Sequence, residues 1–102
     1  MRRPFKSITL TAVDFSWDDR KAASNLRKHG VSFDEATTLF ADPLALAIDD
    51  ALDPGRTLLL GMSNRQRILL VVHVELDEST IRIISARRAT SHERRRYEEE
   101  GQ

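Results

Sequence analysis

The chain has no cysteine, three prolines, four glycines and few aromatic side chains, 6% of its 102 residues. Without cysteine there are no disulfides and no thiolate metal sites. No apolar run is long enough to cross a bilayer, and Met1-Arg2-Arg3-Pro4 does not open a secretory signal. The expectation is therefore a cytoplasmic protein with no membrane association. A glycine-rich phosphate loop is lacking, and the three histidines have no metal-ligand spacing. Both absences argue against a metal- or nucleotide-dependent enzyme, and no cofactor is expected. Net charge is missing too, with sixteen basic and sixteen acidic residues. Overall charge is then no argument for nucleic acid; only the distribution of charge can be.

What remains is a chain that is 40% hydrophobic and 31% charged. It is long enough for one domain, residues 1–102, burying roughly two-thirds of its extended surface. Residues 1–13 read as either an extended arm or an edge strand, because Ile8, Leu10 and Ala12 alternate with threonines and Val13. Ser16 or Asp18 can cap a helix running to about His29, which Gly30 terminates. On that helix Ala22, Ala23 and Leu26 form a narrow apolar stripe, while Asp18, Lys21, Asn25 and Lys28 share another face. Ser32-Phe33-Asp34-Glu35 is a capping box opening a second helix that Pro43 ends. These two form a helical hairpin.

Beyond it the pattern is mainly strand: Leu44 to Ile48, Thr57 to Met62, Arg67 to Leu76, and a run ending near Arg87. A turn-rich loop spans 49–55, and another turn includes Asp77-Glu78-Ser79. A last helix starts at Thr90, which pairs with Glu93 in a second capping box. The expected fold class is α+β: an N-terminal helical hairpin, about four mainly antiparallel strands, and a C-terminal helix. Ile68, Leu70, Val72, Val74 and Leu76 should face the main core, as should Ile81 and Ile83. Arg82 would then share the second face with His73, opposite either His73 or Glu75 according to the turn. Leu69, Val71, Ile84 and Ala86 also fall on that face, so the last helix or another chain should cover it.

Between Arg82 and Arg96 stand six arginines and one carboxylate. Arg87 and Arg88 precede a helix whose positive end already favours anions. This strand–helix corner is the natural anion site, although a solvated arginine pair is the plainer alternative. Arg94–Glu98, Arg95–Glu99 and Arg96–Glu100 are helix pairs in the less favourable order, with acids at the negative helix end. Residues 98–102 are therefore expected to fray.

The matching residues Phe15-Ser16-Trp17-Asp18, Lys21, Asn25 to Phe33, Ala36, Phe40 to Leu44, Arg56, Leu60-Gly61, Arg82 to Ala89 and Glu93 to Tyr97 occur in order. On them the chain resembles the BrnT family of bacterial type II toxin–antitoxin toxins, from about residue 15 to residue 97. The resemblance implies a RelE-like α+β fold and a metal-independent endoribonuclease that arrests translation. It also implies a BrnA-like antitoxin with a ribbon-helix-helix domain, which binds promoter DNA in a hetero-oligomer.

RNA can be cut without a metal because its 2′-hydroxyl is a built-in nucleophile. Guanidinium groups suit the charge that gathers on phosphate oxygens, while proton transfer calls for His, Tyr or an unusual Lys. The candidate catalytic residues are Arg56, His73, Arg82 and Arg87. The candidate RNA or phosphate contacts are Lys21, Lys28, Arg88, Arg94 and Tyr97. Each has a structural alternative: His73 a packed strand residue, Arg82 a cross-strand partner of Glu75, Arg56 an exposed loop edge, the lysines a solvated face, Tyr97 a core anchor. His29 and His92 read as helix-end residues. The alternative function is a non-catalytic protein- or nucleic-acid-binding regulatory module.

Overall fold

The computed structural model describes residues 13–100. The candidate arm, 1–13, lies outside them except for Val13. The first element is a short strand, β1 (Asp14–Ser16), followed by α1 (Asp19–His29) and α2 (Phe33–Thr37), which tightens into a 3₁₀ turn (Thr38–Ala41). Then come β2 (Leu46–Asp49), β3 (Thr57–Met62), β4 (Ile68–Asp77), β5 (Thr80–Arg88) and α3 (Ser91–Glu100). The strands form one sheet in the order β1-β5-β4-β3-β2. β1 runs parallel to β5, and the other pairs are antiparallel.

Two expectations therefore change. The sheet is mixed and five-stranded, and the helical pair is preceded by a strand rather than opening the fold. Three residues at β1 are too few to show periodicity, so only tertiary pairing reveals them.

The helix ends behave as their residues dictate. Asp18 accepts from the amides of Arg20 and Lys21 at 2.8 and 3.1 Å, and Gly30 closes α1 in the left-handed region at φ 68°. The box at α3 is complete: the Thr90 amide donates to Glu93 at 2.9 Å, and the Glu93 amide donates to the Thr90 hydroxyl at 3.1 Å. The box at α2 is half made. Ser32 accepts from the Glu35 amide, but the Glu35 carboxylate turns inward, where the Ser63 hydroxyl and Arg67 guanidinium donate to it. A buried carboxylate with a cation and a hydroxyl is better satisfied than one returning to its own helix end.

Helices α1 and α2 cover one face of the sheet, where Val31, Phe33, Ala36 and Leu39 pack on Leu59, Leu69, Val71, Ile83 and Ala86. α3 covers part of the other face through Tyr97, over Leu60, Leu70 and Ala89. The larger core thus takes the Leu69–Val71 side of β4, the reverse of the sequence expectation. Leu70 lies under α3, with Ile68 packed against the same cluster.

Two register shifts govern β5. Asp77 pairs with Thr80, as a Glu78-Ser79 turn requires, but Glu75 pairs with Ile81, leaving Leu76 as an extra residue. Val74 then opposes Arg82 and His73 opposes Ile83, so Arg82 and His73 lie on opposite faces. A single inserted residue turns every following side chain over. The second shift makes Ile84 the extra residue, since Val72 pairs with Ser85.

β1 pairs with β5 only as far as Arg82. Beyond it the outer edge of β5 is served by a side chain. The Asn25 carboxamide donates to Ala86 O at 2.7 Å and to Val31 O at 3.0 Å, and accepts from the Ala86 amide at 3.1 Å. Asn25 is buried for this purpose at 7% exposure, while Leu26 is 51% exposed. The inward face of α1 therefore turns toward Asn25 and away from the apolar stripe, because two backbone groups on a buried edge need partners. Asn25→Ala leaves those groups unpaired and is expected to cost about 3 kcal/mol. Urea unfolding checks this; an unchanged midpoint would show the contacts to be dispensable.

Candidate active site

The second bulge decides which β5 side chains stand together. Strict alternation would place Arg82 with Ile84, Ala86 and Arg88. With Ile84 as the inserted residue, Arg82, Ser85 and Arg87 fall on one face, opposite Val74, Val72 and Leu70. This is the α3 side of the sheet. Ser16 of β1 stands beside Arg82 in the parallel register. α3 covers the Leu70 end of this face, and the Val72–Val74 end is only partly buried. The result is a half-open shelf with cations at both ends and a hydroxyl between them.

Arg87 is fixed on this shelf. Its two terminal nitrogens donate to the two Glu93 carboxylate oxygens at 2.9 and 3.0 Å, and one also donates to Arg88 O at 3.1 Å. The fork holds the Glu93 carboxyl below its ordinary range, with the Thr90 amide adding to the effect. Arg87 keeps 38% of its side chain exposed. Arg56 immediately precedes β3, but its Nε is tied to Asp53 of its own loop at 3.2 Å.

The other sequence candidates lie elsewhere. His73 is 3% exposed, on the helix side of the sheet, with its ring 4.9 Å from Phe40 in an edge-on contact. Its Nδ1 is buried without a hydrogen-bond partner. Lys21 and Lys28 are exposed on α1, in the layer beyond the sheet from Arg82 and Arg87. Arg88 pairs in register with Leu69 and is exposed at the strand end, where it lines a groove with Arg67 and Arg94. Tyr97 is 7% exposed, and its hydroxyl donates to Asp42 at 2.7 Å. Burial, with the neighbouring Asp42 charge, pushes the Tyr97 phenol up to about 12.

Three residues with organising roles escaped the sequence reading: Asn25, Glu35 and Asp42. Burial opposes the charge of Asp42, but the amides of Met62 and Leu44 and the Tyr97 hydroxyl outweigh it, and the carboxyl lies below its usual range. These bonds, at 2.8, 3.0 and 2.7 Å, join the turn after the 3₁₀ segment to β3 and α3. Gly61 makes the approach possible: a Cβ there would meet Ala45 at 3.0 Å and Asp42 at 3.2 Å. Asn25 falls on the charged face of α1 by sequence, and Glu35 and Asp42 look like ordinary capping and loop acids, so none of the three carries a local signal. Among the described residues no group of three or more His, Asp or Glu gathers as metal ligands.

An α+β domain whose sheet presents Arg82 and a carboxylate-held Arg87 on a partly covered face carries a basic surface chemically suited to an anion. A family model described as the ribonuclease toxin BrnT of type II toxin–antitoxin systems matches residues 17–93. The match spans most of the chain, which belongs to this family of ribonuclease toxins. The crystal structure of the Brucella abortus ribonuclease toxin BrnT is similar in fold, with a TM-score of 0.65 at 22% identity. That likeness covers 78% of this chain and 99% of the other. No curated protein sequence matches the chain.

The buried His73 yields a prediction. Desolvation holds its imidazole below the ordinary value of 6.5, against a smaller opposing effect of the Glu75 charge. The unfolded chain takes up a proton near that value and the folded chain resists it. The stability His73 contributes is thus complete above about pH 6.5 and is lost as pH falls through the window below. Urea midpoints between pH 7.5 and 5 should fall more steeply for the natural chain than for His73→Leu. Parallel profiles would refute the assignment.

Proposed function

We propose that this chain cuts RNA without a metal on the Arg82–Ser85–Arg87 shelf. The observation that carries the reading is the bulge at Ile84, which brings these three side chains onto one partly open face. A phosphodiester laid along β5 would meet Arg82 at one end and Arg87 at the other, with Ser85 between. Arg87, held in place by Glu93 before the substrate arrives, and Arg82 would stabilise the negative charge that develops as the 2′-oxygen attacks phosphorus. The new bond is from 2′-oxygen to phosphorus, the bond to the 5′-oxygen breaks, and water takes up and returns the protons. His73 has no part in this chemistry, because the sheet stands between its imidazole and the shelf. Lys21 and Lys28 are likewise left out.

In this reading the protein is a translation-arresting toxin. Its partner is an antitoxin of the BrnA kind, with a ribbon-helix-helix domain that binds promoter DNA. The fold belongs with the RelE-like ribonucleases, and the whole of residues 1–102 acts as one domain. The absence of a histidine on the shelf is the observation that favours the competing reading, a non-catalytic binding module.

Purified protein should cleave single-stranded RNA in EDTA. Arg82→Ala and Arg87→Ala should each lower the rate by about 10²–10³, with folding intact by circular dichroism. Cleavage abolished by EDTA would exclude the metal-free route. RNA left uncut by the natural chain at high enzyme concentration would favour the binding module.

A further inference from the structure

A second concave surface lies away from the shelf, where β3 ends, β4 begins and α3 crosses. Its larger part, about 800 Å³, is mainly apolar, with Leu44, Met62, Ile68 and the Tyr97 ring around it. Leu44 is 46% exposed and Met62 37%. Met62 and Ile68 also line a smaller part, about 340 Å³, which opens between Arg67, Arg88 and Arg94. The two parts adjoin at Met62 and Ile68, which line both, so the apolar end of this groove borders a basic end. Arg67 is engaged by Glu35. Among the described residues neither Arg88 nor Arg94 has a carboxylate within salt-bridge distance.

We propose that this groove seats the antitoxin, through a segment that places large apolar side chains against Leu44 and Met62 and carboxylates against Arg88 and Arg94. The proposal rests on the toxin reading above. Exposed apolar side chains beside a polar, arginine-bearing rim are the anatomy of a protein interface. The charges select the occupant further. Asp42, held ionised, and Glu98 border the apolar end, where they repel a phosphate chain but leave apolar side chains unopposed. The arginine end then attracts carboxylates and sets the direction in which the segment lies. RNA, whose charge is spread along its whole backbone, fits the β5 shelf and not this groove.

The test uses the full chain and the antitoxin encoded with it, each purified and then mixed. Met62→Glu and Leu44→Glu, on different walls of the groove, and Arg94→Glu at its basic end should each weaken binding at least tenfold. Raising the salt should narrow the gap between Arg94→Glu and the natural chain, and leave that of Met62→Glu. Amide exchange in the complex should slow at 62–68 and around Tyr97. RNA cleavage by Met62→Glu should persist and become resistant to the antitoxin. If Met62→Glu fails to fold, the exposed Leu44→Glu gives the same reading. Unchanged affinity of the folded variants, with protection elsewhere, overturns the groove assignment and leaves the toxin reading intact. Loss of RNA affinity in Met62→Glu would assign the groove to RNA and also overturn it. A natural chain that neither binds the antitoxin nor cuts RNA would overturn the toxin reading itself.

Discussion

The register of β5 against β4 is the constraint on which the rest of this molecule depends. Two inserted residues, Leu76 and Ile84, set it. The first turns Arg82 away from the helix-covered core, and the second turns Ser85 and Arg87 to join it. Without the Ile84 insertion Arg82 and Arg87 would fall on opposite faces. The bulge at Ile84 is not held by pairing with β1, which stops at Arg82. Past that point the Asn25 carboxamide stands where the next strand would be, and binds both backbone groups of Ala86. Because the same side chain also holds Val31, the end of α1, the entry to α2 and the edge of the sheet form one connected unit.

On the opposite face the attachment is thinner. α3 buries a single large side chain, Tyr97, and is otherwise tied by the Tyr97–Asp42 hydrogen bond and the Arg87–Glu93 pair. A helix held so lightly leaves half of its sheet face uncovered. In the proposed function that incompleteness has a use, because a fully covered sheet would have no shelf for a polynucleotide. Glu93 caps α3 and at the same time fixes the orientation of Arg87. The helix thus contributes to the site through its first turn more than through its length.

A neutral chain has arranged its charges by place. Carboxylates that fall near an arginine are spent on building: Glu35 on Arg67, Glu93 on Arg87, Asp53 on Arg56. Arg82, Arg88 and Arg94 have no such partner within reach among the described residues. They lie in two separate places, one on the shelf and two at the rim below α3, in keeping with a protein that must hold an RNA and answer to another protein. Membership of the BrnT family supplies both requirements.

Local rules carried much of this structure. Caps at Ser32 and Thr90, a cap at Ser16 or Asp18, the stop at Gly30, the span of β3 and a turn within Asp77-Glu78-Ser79 follow from side chains acting on backbone within a few residues. The ordered motifs from Asn25-Leu26-Arg27 to Arg82-Ile83-Ile84 likewise pointed to the family. Which face a side chain takes was not legible. Bulges depend on how two distant strands close against each other, and no propensity at Leu76 or Ile84 announces them. That is why His73 was placed beside Arg82 and lies across the sheet from it. Asn25, Glu35 and Asp42 share the same cause. Their carboxamide and carboxylates find partners up to 61 residues away, and such satisfaction exists only after the chain has folded. Sequence alone determined the local elements and the inventory of cations; tertiary closure decided which of those cations stand together, because side-chain direction in a sheet is a property of the pair of strands.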